Sequence, residues 1–171
     1  PEQWEWFEEN VGAQLVVLTE ARDKFDCCDN GWSFVRRAGG IGGRRPWGTA
    51  IGSFGGSLVD VTDGVEGHGG FSVHHTWPGY VTIADLVDDE EDNEVLLTIV
   101  GVHAPLLGVD GRKLKSGEES VPQILRDLEG LFDSDRGQSL ILAGDFNLHP
   151  RWMPDSLYER FIDVIEETSK V

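Results

Sequence analysis

The chain has 171 residues, with 14 Lys and Arg against 31 Asp and Glu, a net charge of −17, and 39% hydrophobic residues. That length suits one domain with a real core, and that apolar share excludes a disordered chain. No apolar run approaches the ~18 residues that span a bilayer, and so negative a field disfavours nonspecific binding to nucleic acid.

Pro1 to Glu5 carry neither the basic nor the apolar region of a signal peptide, and the chain lacks an initiator Met, so it is expected to begin inside a longer reading frame. Trp4, Phe7 and Val11 fall at helical spacing with Glu5, Glu8 and Glu9 on the other side, which predicts an amphipathic helix ending near Gly12. Gln14 to Thr19 is a short apolar, β-branched run and predicts a buried strand that delivers Glu20 at its C-terminal end. Ala21 to Cys28 reads as a brief helix. Its adjacent cysteines, Cys27 and Cys28, are poorly placed for a disulfide and read as thiols in a reducing compartment, hence a cytoplasmic location.

From Gly31 the texture changes to short strands divided by glycines. Trp32–Val35 and Thr49–Phe54 are candidate strands, and the stretch Arg36 to Arg45 between them reads as a mobile basic loop. Its Arg36, Arg37, Arg44 and Arg45 suit phosphate oxygens, which guanidinium binds bidentately; the competing reading is a solvated loop that balances local charge. His68, His74 and His75 fit no strong metal template and read as loop histidines. Trp77 and Tyr80 fit core packing better than stacking on a base.

Tyr80–Val87 and Val95–Val102 form the clearest strand pair, joined through the acidic stretch Asp88–Glu94 as a hairpin with a longer loop. The loop Ala104–Gly117 leads to a predicted helix over Glu118–Phe132, with Val121, Ile124, Leu125, Leu128 and Leu131 as its apolar face. Ser139–Ala143 predicts another buried strand, and Ser156–Glu167 an amphipathic helix. No repeat or linker divides residues 1–171, so the pattern predicts one domain of packed sheets with helices outside.

Glu20, His103 and Asp145 share one signature: each directly follows an apolar strand. Strand ends converging on one sheet edge are where open sheet folds place their sites. Mg²⁺ takes hard oxygen ligands and keeps several waters, so the two carboxylates Glu20 and Asp145 are a sufficient protein contribution. Asn147 offers an amide to orient water or a phosphoryl oxygen, and His103 a hydrogen-bond donor or proton carrier near neutral pH.

Leu18-Thr19-Glu20, Val102-His103-Ala104-Pro105 and Gly144-Asp145-Phe146-Asn147 resemble, in order, three motifs of the endonuclease/exonuclease/phosphatase superfamily, which includes deoxyribonuclease I-like nucleases, sphingomyelinases and inositol polyphosphate phosphatases. The resemblance implies an α/β (α+β) fold, a four-layer sandwich of two mixed β-sheets flanked by helices. It implies a hydrolase acting on a phosphoester with Mg²⁺ or Mn²⁺, with Glu20 as metal ligand, Asp145 and Asn147 handling the nucleophile, and His103 contacting phosphate. The family's opening Trp-Asn strand and closing Ser-Asp-His motif have no match, so the chain is expected to be a partial domain. Trp77-Pro78 stands where nuclease members carry Glu-Pro. An endonuclease or phosphodiesterase is favoured over a phosphomonoesterase; a non-catalytic relative used as a binding module is the alternative.

Overall fold

β-branched and aromatic runs, broken by glycine and acidic turns, favour strands over helices through most of this chain. A computed structural model describes residues 12–22, 31–39, 47–67, 69–89, 94–117 and 119–148. The expected helices around Trp4–Val11 and Ser156–Glu167, together with Cys27, Cys28, Arg44, Arg45 and His68, lie outside the described residues.

Seven strands are present among the described residues: β1 Leu15–Arg22, β2 Trp32–Gly39, β3 Trp47–Phe54, β4 Ser57–Asp60, β5 Val81–Asp88, β6 Glu94–His103 and β7 Leu140–Asp145. They form two sheets, of order β1-β3-β2 and β4-β5-β6-β7. The first sheet is wholly antiparallel, where a mixed sheet is expected from the resemblance. In the second, β7 alone runs parallel to its neighbour, β6. Strand β4 has no counterpart among the expected elements; it is four residues long and follows Gly55-Gly56.

Burial explains why β5 and β6 read as continuous apolar runs rather than alternating ones. One face carries Ala84 and Ile99, which pack on Val35 and Ile51 of the first sheet. The other carries Ile83, Val100 and Val102, which pack on Val121, Ile124, Leu128 and Leu131 of the helical segment. A strand buried on both faces needs apolar residues at every position. Fully buried side chains such as Ile83 and Ile99 each contribute about 1.5–3 kcal/mol. The result is an α+β sandwich with few helices, the second sheet lying between the first sheet and the helical residues.

Gly101 lets the two sheets meet closely. A Cβ there would stand 2.7 Å from Thr49 Cγ2 and 3.1 Å from Val17 Cγ1, both on the first sheet. A larger residue at this position drives the sheets apart.

The single helix expected over Glu118–Phe132 is broken into α1, Ser120–Asp127, and α2, Glu129–Phe132. The reason is a competing donor. The Asp127 carbonyl, which an unbroken helix gives to the Leu131 amide, accepts instead from the His74 amide at 3.0 Å, and Leu131 turns to the Leu128 carbonyl at 2.9 Å. The Asp127 carboxylate holds the same loop, accepting from the Thr76 amide and hydroxyl, both at 2.9 Å.

Candidate functional site

Strand β7 ends where glycine is required. Gly144 has φ 143, and a Cβ at that position would run into the Val102 carbonyl. The parallel pairing then sets Asp145 beside His103 as register partners, and the Ala104 amide donates to the Asp145 carbonyl at 2.7 Å. Asp145 Oδ1 accepts the Asn147 amide at 2.8 Å, a side-chain-to-backbone turn that Asp forms readily. Asn147 takes a left-handed conformation, φ 51, and its Nδ2 donates to the Ala104 carbonyl at 2.7 Å. The Gly117 amide donates to the Asn147 carbonyl at 2.9 Å, so the loop from Ala104 to Gly117 returns to the same point. Asn147 therefore has a structural task, holding the loop after β7 to Ala104 and Gly117.

His103 is 8% exposed, its amide donates to the Tyr80 carbonyl at 2.8 Å, and its ring lies 5.6 Å from the Tyr80 ring. Strand alternation puts it on the face of β6 shared with Gly101, toward the first sheet.

Glu20 is not at a strand end. Strand β1 continues to Arg22 through a register shift: Leu18 pairs with Ala50 and Ala21 with Gly48, so Thr19 and Glu20 together oppose Thr49. That is a β-bulge, which re-aims a side chain, and Glu20 is exposed with φ 55. The brief helix expected from Ala21 gives way at its start to this longer strand.

An open hollow of about 540 Å³ lies between the sheets, lined by Leu15, Val17 and Thr19 of β1 and by Ile141, Ala143, Gly144 and Asp145 of β7. The strands carrying Glu20 and Asp145 thus flank one cleft. Its walls are apolar and its polar groups gather at the Thr19–Asp145 end.

Arg36 and Arg37 lie within β2 and not in a loop, because β2 pairs with β3 as far as Gly39. Alternation directs them to opposite faces. Arg37 shares the inward face of Val35 and forms ion pairs with Asp60 at 2.9 Å and Asp63 at 2.7 Å. Burial alone lowers the Arg37 pKa, but hydrogen bonds to Asp60 and Asp63 outweigh it and raise the value above the ordinary one. Arg36 Nε donates to the Ala21 carbonyl at 3.2 Å, next to Glu20. Trp77 and Tyr80 are both buried, as core aromatics should be. His75 Nε2 lies 3.0 Å from the Thr62 carbonyl and 3.7 Å from Asp63.

Among the described residues, no group of three or more His, Cys, Asp or Glu is placed to hold a metal ion. Glu20 and Asp145, two exposed carboxylates on strands that flank one cleft, fit only a cation that keeps most of its waters, as Mg²⁺ does. Thr49 escaped sequence reading: its contacts with the Tyr80 segment exist only once the sheets pack, and no local pattern signals them. Comparison with protein-family models, with curated proteins and with solved structures finds no match to this chain.

Proposed function

We propose that this chain belongs to a Mg²⁺-dependent phosphoester hydrolase of the endonuclease/exonuclease/phosphatase kind. The observation that carries the reading is backbone strain. Among the described residues, the two non-glycine residues with positive φ are Glu20 and Asn147, both singled out by the sequence motifs. Such conformations cost on the order of 1–3 kcal/mol and persist where the surrounding structure enforces them, commonly at functional sites.

In this reading Glu20 and Asp145 hold the cation, which when bound polarises a phosphoryl oxygen and acidifies water. Asp145 orients the attacking water from the cleft side. His103, covered by Tyr80, is assigned to donate to a phosphoryl oxygen, and the Asn147 side-chain amide, which also holds the Ala104 carbonyl, to share its negative charge. Phosphodiester cleavage is favoured over monoester cleavage. Arg36, whose Nε donates to the Ala21 carbonyl next to Glu20, is the arginine assigned to assist there. Cleavage of plasmid, a diester reporter and inositol phosphates with Mg²⁺ or Mn²⁺ is the test, with Glu20→Ala and Asp145→Ala as controls. Inactivity on all three substrates overturns the enzyme reading.

The engagement of Asp145 Oδ1 and Asn147 Nδ2 in hydrogen bonds to the backbone favours a second reading, a non-catalytic relative that binds a phosphoester in the same cleft. Saturable binding of the diester without turnover distinguishes it.

A further inference from the structure

Glu20 stands on the first sheet, while His103 and Asp145 stand on the second. Any chemistry that uses all three needs the sheets held in a fixed relation at this edge. One residue does most of the joining. Thr49, fully buried in β3, donates its amide to the Gly79 carbonyl at 3.3 Å and its hydroxyl to the Tyr80 carbonyl at 3.2 Å. Its own carbonyl accepts the Thr82 hydroxyl at 2.8 Å. The Tyr80 carbonyl also accepts the His103 amide at 2.8 Å, so Thr49 and His103 share one acceptor. On its other side Thr49 is the residue that faces the Thr19–Glu20 bulge. The chain of contacts runs from Glu20's bulge through Thr49 and the Tyr80 carbonyl to His103, and from His103 across the strand pair to Asp145.

We infer that Thr49 is a positioning residue: its hydroxyl sets where Glu20 stands relative to His103 and Asp145. The inference rests on the proposed cation-dependent reading of the site. A hydroxyl is suited to this because it ties two backbones together while its methyl group fills the narrow space over Gly101. Valine keeps the shape and loses the bond; serine keeps the bond and loses the methyl group.

The test uses Thr49→Val, Thr49→Ser and Thr98→Val in the full chain, well below each variant's unfolding midpoint. Thr98 is the control: its buried hydroxyl donates to Asp85 at 2.7 Å in the second sheet, on the face turned from the first. Thr49→Val is expected to weaken Mn²⁺ binding about tenfold, a loss of the size seen when groups supporting metal ligands are removed. Thr49→Ser restores the affinity, and Thr98→Val leaves it unchanged. Hydrogen exchange at the His103 amide gives a readout independent of metal: Thr49→Val accelerates it and Thr98→Val does not. Unchanged Mn²⁺ affinity in Thr49→Val, or an equal loss in Thr98→Val, overturns the inference. If the parent chain binds no Mn²⁺ through Glu20 and Asp145, the functional reading fails, and the His103 exchange rate alone decides whether Thr49 ties the sheets.

Discussion

His103 and Asp145 are register partners across the parallel β6–β7 pair, and the next amide along, that of Ala104, closes onto the Asp145 carbonyl at 2.7 Å. The backbone thereby fixes the spacing of the two residues before their side chains take any part. What the Asp145 side chain adds is separable into a turn acceptor and a negative charge.

Asp145→Asn and Asp145→Ala separate those two roles. Asparagine keeps an oxygen for the Asn147 amide, so urea unfolding should stay near that of the parent. Alanine removes the acceptor and should cost about 0.5–1.5 kcal/mol, the usual contribution of one hydrogen bond. Mn²⁺ affinity should fall in both, by tenfold or more, because both lose the charge. Undiminished affinity in Asp145→Asn means that the carboxylate only shapes the turn.

Arg136→Met should be the most destabilising of the substitutions considered. Arg136 Nε pairs with Asp85 Oδ2 at 2.9 Å, and the Asp85 side chain is 2% exposed. Removing the cation leaves a buried carboxylate without its charge partner, which costs about 3–5 kcal/mol. The Arg136→Met, Asp85→Leu double variant should recover part of that loss, because an apolar pair replaces the buried ions and only the Thr98 hydroxyl is left without its acceptor. Equilibrium urea unfolding of both variants checks the pair; similar loss in single and double variants refutes the account.

Much of this architecture is legible in the residue pattern, for identifiable reasons. The runs at Leu15–Leu18, Val95–Val102 and Leu140–Ala143 are apolar enough to mark strands, but their burial is less legible: no residue of β7, expected as a buried strand, is buried, and Ile141 is 40% exposed where it lines the open hollow. The bulge at Glu20 is invisible because it depends on what β3 presents opposite, not on the sequence of β1. Arg36 and Arg37 look like loop residues because charge and glycine surround them, yet pairing with β3 carries the strand past both. The break in the Ser120–Phe132 helix is equally non-local, since the His74 amide that captures the Asp127 carbonyl arrives from a distant loop.

Arg37 gives a prediction about pH. Its folded pKa lies above the ordinary arginine value, through Asp60 and Asp63 acting against burial. A raised pKa contributes stability that is complete below the unfolded value, itself far above neutral, and is lost only as pH rises through the folded one. The stability difference between the parent and Arg37→Ala should therefore be flat from about pH 6 to 9. It should also be small, about 1 kcal/mol or less, because the pair is a third exposed and salt-screened. A difference that changes steeply across neutral pH assigns the effect to another group, and His75 beside Asp63 is then the one to substitute.

Gly101→Ala tests the packing on which the site depends. The added methyl group meets Thr49 and Val17 side chains, both inside the sandwich, and neither is the free end of a long flexible chain. Overpacking of this kind costs about 1–3 kcal/mol. The strain falls at the Thr49 joint, so the first sheet must shift where Glu20 leaves it. Gly101→Ala should then lose Mn²⁺ affinity as well as stability. Gly31→Ala serves as the comparison: φ at Gly31 is 80, so the change is strained, but its nearest neighbour is the exposed Phe54 ring at 3.4 Å. It should lose stability alone. Equal effects of the two variants on Mn²⁺ binding contradict a site tuned by the spacing of the sheets.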